Sequence, residues 1–175
     1  MPNWTANTLR VAGRPADLRA FLEAVKWEDT LFDFNRLIPM PELLKHTGTG
    51  SRTIDGQDVT AWYVINPENP LPDQESVRLF TPEEQAALKD IGHNDWYSWS
   101  IKNWGTKWNA CRAHIDSASL EAGSVEISFD TAWAAPLPIF YNMRDMFPRL
   151  TFTCQWRNED DRYERLHTLA FEAPA

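Results

Sequence analysis

The sequence predicts an α+β fold: a ferredoxin-like antiparallel sheet with helices on one face and a loop-rich or helical insertion. Three observations predict it. The chain opens on an alternating apolar run followed by a helical one. After Gly105 the apolar period switches from helical to alternating for two consecutive runs. A second helical run, closed by Pro148, then leads into a further alternating run. The resulting order is β, α, insertion, β-hairpin, α, β and an appended strand, which suits two helices on one face of an antiparallel sheet. At 175 residues, the chain fits one domain over 1–175, with the insertion at about 41–92.

Taken in order, Trp4 to Val11 reads as the first strand, ended by Gly13. Pro15 starts a helix reaching roughly Trp27, with Leu18, Phe21, Leu22 and Val25 on its apolar face. Phe32, Phe34, Leu37 and Ile38 run into Pro39-Met40-Pro41, read as an extended edge piece and a turn. From Lys45 to Pro72, turn residues surround the short apolar run Ala61–Ile65, and mobility is expected there. Thr81-Pro82-Glu83-Glu84 is a capping-box signature for a helix to about Ile91. Asp95 caps another, with Tyr97, Ile101 and Trp104 as its core face and Gly105 at its end.

The hairpin comes next. Cys111, Ala113 and Ile115 alternate with Arg112, His114 and Asp116, and Val125, Ile127 and Phe129 with Glu126, Ser128 and Asp130. The odd-numbered residues are assigned to the core. Leu137, Phe140, Met143 and Phe147 then form a helix face, and Leu150, Phe152, Cys154 and Trp156 the inner side of a strand. A charged turn, Asn158 to Arg162, precedes a last strand, Leu166–Phe171. Cys111 and Cys154 fall on inward faces in this reading, which allows proximity but does not establish it.

Composition limits the function classes. Hydrophobic residues make up 43% and charged ones 24%, enough for a packed core. With nine Trp, nine Phe and four Tyr, aromatic rings should dominate that core, although Trp also favours interface hot spots. A net charge of −8 without a basic cluster argues against nucleic acid as a partner. Two widely spaced cysteines point to reduced thiols. The absence of a long apolar run or basic leader points away from membranes and towards the cytoplasm.

Four stretches carry a family resemblance: Met1-Pro2-Asn3-Trp4, FNRLIPMPEL, NWGTKWNA and SFDTAWAAPLP. The chain resembles the YubB-type ferredoxin-like-domain family of phage- and plasmid-borne proteins. The resemblance implies a ferredoxin-like fold and a mobile-element origin, and it carries no activity and no catalytic residue with it. The family pattern often places Cys after the first Trp. Thr5 stands there instead, so no thiol role is implied.

Trp99, Trp104, Trp108 and Trp133, with Asn103, Lys107 and Asn109, form the candidate binding set. The functional reading is a Trp/Asn-lined cleft for a ligand or a partner's peptide. The structural reading is that Trp104 and Trp108 plug a helix–strand junction while Asn103 and Asn109 cap backbone groups. His93-x-Asp95 and His114-x-Asp116 are short pairs suited to orienting an imidazole, and on a strand His114 and Asp116 share a face. A zinc site would need further convergent ligands, and no pattern brings His46 and His167 to them, so no metal or cofactor is expected. Cys111 and His114 fall on opposite faces, and neither a nucleophile elbow nor a phosphate loop is present. RNA recognition would need rings on the open sheet face, where the alternation places Arg112, His114, Asp116, Glu126, Ser128 and Asp130.

The sequence therefore predicts a non-enzymatic mobile-element accessory protein that binds a protein partner, such as a host defence component. The alternative is a small-molecule-binding or hydrolytic protein using the Trp/Asn cleft with His114 and Asp116. Structural service in a virion or conjugation complex is a third reading.

Overall fold

The computed structural model describes residues 3–54, 56–65, 77–159 and 165–173. They fall into two compact units, one made of Met1–Pro39 with Asn103–Ala175 and the other of Met40–Lys102.

The first unit holds β1 (Trp4–Ala12), α1 (Pro15–Val25), β5 (Cys111–Ser119), β6 (Ser124–Ala132), α5 (Leu137–Met146), β7 (Thr151–Asn158) and β8 (His167–Phe171). Its five strands lie in the order β5-β6-β1-β7-β8, with every neighbouring pair antiparallel. Without β8 this is the ferredoxin-like arrangement expected from the sequence, and the helices share one face. Phe21 of α1 meets Phe152 edge-on at 5.7 Å, and Phe140 of α5 lies 6.2 Å from Trp156. Phe152 and Trp156 alternate on the inner side of β7.

The core reflects alternation along each strand. Leu9 and Val11 of β1, and Val125, Ile127 and Phe129 of β6, are buried beside Phe152 and Cys154 of β7. Each such side chain contributes roughly 1.5–3 kcal/mol on leaving water. Leu18, Phe21 and Val25 complete the helical side from α1, and Ile139, Phe140 and Met143 from α5. Leu137 is exposed instead, because the helix begins at that residue and its inward stripe passes through Ile139. α1 ends at Val25, so Trp27 lies beyond it, exposed and bridged to Thr30.

The stretch read as an extended edge piece is not a strand. Asp33 caps a single 3-10 turn, Phe34–Arg36, by accepting the Asn35 N–H. Phe32 and Phe34 are fully buried, each with its ring edge-on to Phe129, at 5.0 and 6.1 Å. Pro39 and Pro41 restrict the backbone after this turn, but burial of the two rings decides the conformation ahead of it.

The hairpin strand β5 also departs from simple alternation. Its register against β6 shifts between Cys111 and His114 and again between Ile115 and Ser117, so β5 carries extra residues. As a result Cys111 pairs with Asp130, on the outer side of β6, whereas Cys154 pairs with Leu9 on the inner side. The two thiols are free and lie on opposite faces of the sheet. Burial pushes Cys154 up to about 12. Ile115 faces Ile127 as expected but is half exposed, since β5 is the outer strand.

The second unit contains α2 (Glu42–Lys45), a three-stranded sheet ordered β2 (Thr47–Ile54), β3 (Gln57–Ile65) and β4 (Val77–Arg78), then α3 (Pro82–Ile91) and most of α4 (Trp96–Asn103). A regular hairpin therefore occupies part of the stretch read as loop, where an insertion at about 41–92 was expected. Residues 55 and 66–72 of that stretch lie outside the described residues, as does the Asp160–Arg162 part of the expected charged turn. The capping box forms as read: Glu84 N–H donates to the Thr81 hydroxyl, and Thr81 N–H to the Glu84 carboxylate at 2.9 Å. Asp95 accepts the Ser98 N–H at 2.7 Å and caps α4. The buried stripe of α4 is Trp99 and Ser100, while Tyr97 and Ile101 are 40% and 39% exposed. Of the face expected from the sequence, Trp104, just past the helix, is buried.

Two outcomes test this packing. Phe129→Ala removes the ring against which Phe32 and Phe34 pack, and a loss of about 3–5 kcal/mol is expected in urea unfolding. Thr81→Ala should cost about 1 kcal/mol through the lost cap. The Arg78 guanidinium and the Thr81 amide hold Glu84 at about 2 rather than 4.5. Its stabilising contribution is complete above pH 4.5 and is lost as pH falls through about 2. The gap between wild type and Glu84→Gln should therefore narrow along an acid titration followed by circular dichroism.

Candidate functional site

The stretch 103–109 alternates between inward and outward residues. Trp104 is buried, its indole N–H donating to the Ile38 carbonyl at 2.9 Å, with Phe34 at 5.9 Å. Gly105 turns with φ 79°, and a Cβ there would come within 2.7 Å of Pro138 Cδ. Thr106 is buried and its hydroxyl donates to the Ala132 carbonyl at 2.7 Å. Asn109 accepts the Phe34 N–H at 2.8 Å and donates to Asp33 at 2.6 Å. Trp104 and Asn109 thus serve as plug and cap. Asn103 ends α4 half-buried, and Trp99 belongs to the second unit, where it is buried.

The remaining candidates come together at the surface. Lys107 Nζ lies 5.0 Å from the Trp108 ring centre and 4.7 Å from that of Trp133. Trp108 lies 6.0 Å from Trp4, and the Arg112 guanidinium covers Trp4 at 4.5 Å. The result is a continuous row, Arg112–Trp4–Trp108–Lys107–Trp133, in which cations lie beside indole rings. Such contacts contribute about 0.5–1 kcal/mol each where exposed. Trp133 is 45% exposed.

Both ends of the row sit on strained backbone. Arg112 has φ 54° and Trp133 φ 74°, a region costly for residues with a Cβ. The surroundings hold Trp133 there. Its N–H donates to the Asn3 carbonyl at 2.8 Å, the carbonyl before it accepts from Thr106, and the one after it accepts from the Thr131 hydroxyl at 2.8 Å. Thr131 also accepts from the buried Asn7 amide at 2.9 Å. Arg112 is fixed at its side chain by Asp130 at 2.6 Å and at its carbonyl by His114.

His114 and Asp116 do meet, with Nε2 3.1 Å from the carboxylate. Since the Arg112 carbonyl can only accept, His114 Nδ1 carries the hydrogen of the 3.0 Å bond between them. Both ring nitrogens are engaged within the strand, and Ser128 donates to the other side of Asp116. While protonated, an imidazole so placed has no lone pair to act as a general base, and both of its nitrogens face acceptors of the protein itself. His93 bonds instead with Ser98 at 3.2 Å, while Asp95 is occupied by its cap and by the Trp62 indole. Among the described residues, no three His, Cys, Asp or Glu side chains are grouped to hold a metal ion, and no helix is long and apolar enough to cross a membrane.

The four stretches that carry the sequence resemblance converge here. Asn3 and Trp4 come from the first, Phe34 and Ile38 from the second, Trp104 to Asn109 from the third, and Ala132 to Pro138 from the fourth. Residues 103–164 match the ferredoxin-like domain of Api92-like proteins. Over the whole chain the fold is similar to the crystal structure of the protein Api92 from Yersinia pseudotuberculosis, at 10% identity and a TM-score of 0.50. That match covers 100% of this chain and 99% of the other. No curated protein matches the sequence. The fold is therefore ferredoxin-like, and the Api92 likeness extends to the fold alone.

Sequence reasoning missed Trp4 and Arg112 as members of the row. The opening stretch singled out Trp4, but only register places it beside the start of β5.

The bond to the Arg112 carbonyl raises His114 above its ordinary 6.5, with Asp116 adding to the effect. Its contribution to stability is thus present below pH 6.5 and fades as pH rises through the higher folded value. In an NMR titration His114 should lose its proton above that reference, and Asp116→Asn should move the midpoint only part of the way back.

Proposed function

We propose that this is a non-enzymatic accessory protein of a phage or plasmid that acts in the cytoplasm by binding a protein partner through the Arg112–Trp4–Trp108–Lys107–Trp133 row. The strain at both ends of that row carries the reading. Backbone held in the left-handed region by a residue other than glycine costs on the order of 1–3 kcal/mol. At Arg112 and Trp133 a glycine would avoid that cost but would lose the guanidinium over Trp4 and the ring beside Lys107. Trp and Arg are the residue types that concentrate binding energy at protein interfaces. The resemblance to phage- and plasmid-borne proteins supports the mobile-element part of the reading and makes a host defence component the first partner class to examine. A hydrolytic role for His114 and Asp116 is disfavoured by the engagement of both imidazole nitrogens.

Trp133→Gly and Arg112→Gly separate function from folding. Each should leave stability unchanged or raise it by up to about 1 kcal/mol, because glycine adopts these φ values freely. Each should also weaken the partner by roughly 30-fold, the loss typical of a hot-spot side chain. The assay is affinity capture from host lysate with competition by free wild-type protein. Trp27→Ala, which removes an exposed indole outside the row, serves as control. Equal, competable capture by all variants would remove the row from the proposed function, and no saturable partner would remove the function itself.

A further inference from the structure

The second unit has a pocket of its own, about 450 Å³, between β3, the segment before α3 and the Gln85–Lys89 side of α3. Volumes of this order accommodate small organic ligands. Its apolar side is formed by Trp62, Leu79, Phe80 and Leu88. Phe80 and Leu88 are buried, while Trp62 and Leu79 stand 46% and 45% exposed at the mouth.

The walls are fixed before any ligand arrives. The Trp62 indole N–H donates to the Asp95 carboxylate at 3.1 Å, and Asp95 is itself held by capping α4. Gln85 donates to the Phe80 carbonyl at 3.1 Å, tying α3 to the segment after β4. Arg78 grips Glu84 through two bonds, at 2.7 and 2.8 Å, and Glu84 closes the capping box. Pre-organised walls reduce the ordering cost of binding.

Among the described lining residues the charged one is Lys89, while the Asp95 carboxylate behind Trp62 is engaged by that indole. Lys89, one helical turn beyond Gln85 on α3, lines it and makes no ion pair among the described residues, and no carboxylate is among the described lining residues. Asn94 adds an amide to the same rim. A chain whose net charge is −8 thus places a lysine among the residues that line an apolar pocket.

We propose that this pocket binds a small apolar carboxylate of aryl- or alkyl-acid type. Its hydrocarbon part lies against Trp62, Leu79, Phe80 and Leu88, and its carboxylate is held by Lys89 with the Asn94 amide. A charge-assisted bond of this kind separates the acid from its neutral amide by roughly tenfold in affinity.

The test is an NMR titration of the full chain with 3-phenylpropanoate and, separately, 3-phenylpropanamide. It is read at the Trp62 indole N–H signal, which Trp62→Phe assigns. The acid should shift that signal saturably and bind about tenfold more tightly than the amide. Lys89→Gln, at an exposed helical position, should weaken the acid to the level of the amide and leave the amide unchanged. Equal binding of acid and amide would overturn the proposal. So would an unchanged affinity for the acid in Lys89→Gln, or a Trp62 signal that stays still up to about 5 mM of acid, beyond which any affinity is weaker than about 3 kcal/mol. The pocket lies outside the Trp4–Trp133 row, so neither result bears on the partner surface.

Discussion

Phe34 links the core of the first unit to its surface. Its ring is fully buried against Phe129, Phe32 and Trp104, and its amide donates to Asn109. Losing that side chain would leave the 103–109 stretch without the ring that seats Trp104, while the backbone amide would still reach Asn109. Lys107 and Trp108 lie between those two anchors, so their placement beside Trp4 and Trp133 results from core packing. The energetics divide along the same line. Core rings contribute area removed from water, whereas the cation–ring contacts outside are individually small and gain their geometry from the core.

That division explains how strain persists at the rim. A single unusual φ is tolerable where neighbouring hydrogen bonds over-determine it. Trp133 is bracketed by Asn3, Thr106 and Thr131, drawn from three separate parts of the chain. The buried hydroxyls of Thr106 and Thr131 find carbonyl partners in doing so, which offsets their desolvation. A polar patch in an aromatic core thereby becomes the clamp for an exposed indole. The buried Asn7, donating to Thr131 and to the Thr5 carbonyl, extends the clamp into β1.

The sheet was legible because alternation is a property of consecutive residues. Val125, Ile127 and Phe129 announce their strand, and the fixed element order announces the sheet order. Both helix caps at Thr81 and Asp95 were legible for the same local reason. Bulges escaped that logic: the extra residues in β5 invert the side on which Cys111 lies without altering the apolar pattern. The second unit's hairpin was missed although Asp55-Gly56 is a strong two-residue turn signal, because the surrounding Gly, Ser and Thr mask it in composition. The row itself joins β1, β5, the residue just after β6 and the 103–109 stretch, and such long-range assembly leaves no periodic trace. Only the clustering of Trp around Lys107 hinted at it.

The irregularity of β5 also affects how this protein behaves in a crowded solution. An outer strand with straight, continuous pairing offers its free edge to any other extended chain, which is how sheets seed fibrils. Here the edge is broken twice by register shifts and carries Arg112, His114 and Asp116 along its length. A foreign strand would find only short runs of matching donors and acceptors, set among charges it would have to strip of water. The same bulge that turns Arg112 towards Trp4 therefore discourages the sheet from growing past its fifth strand on that side.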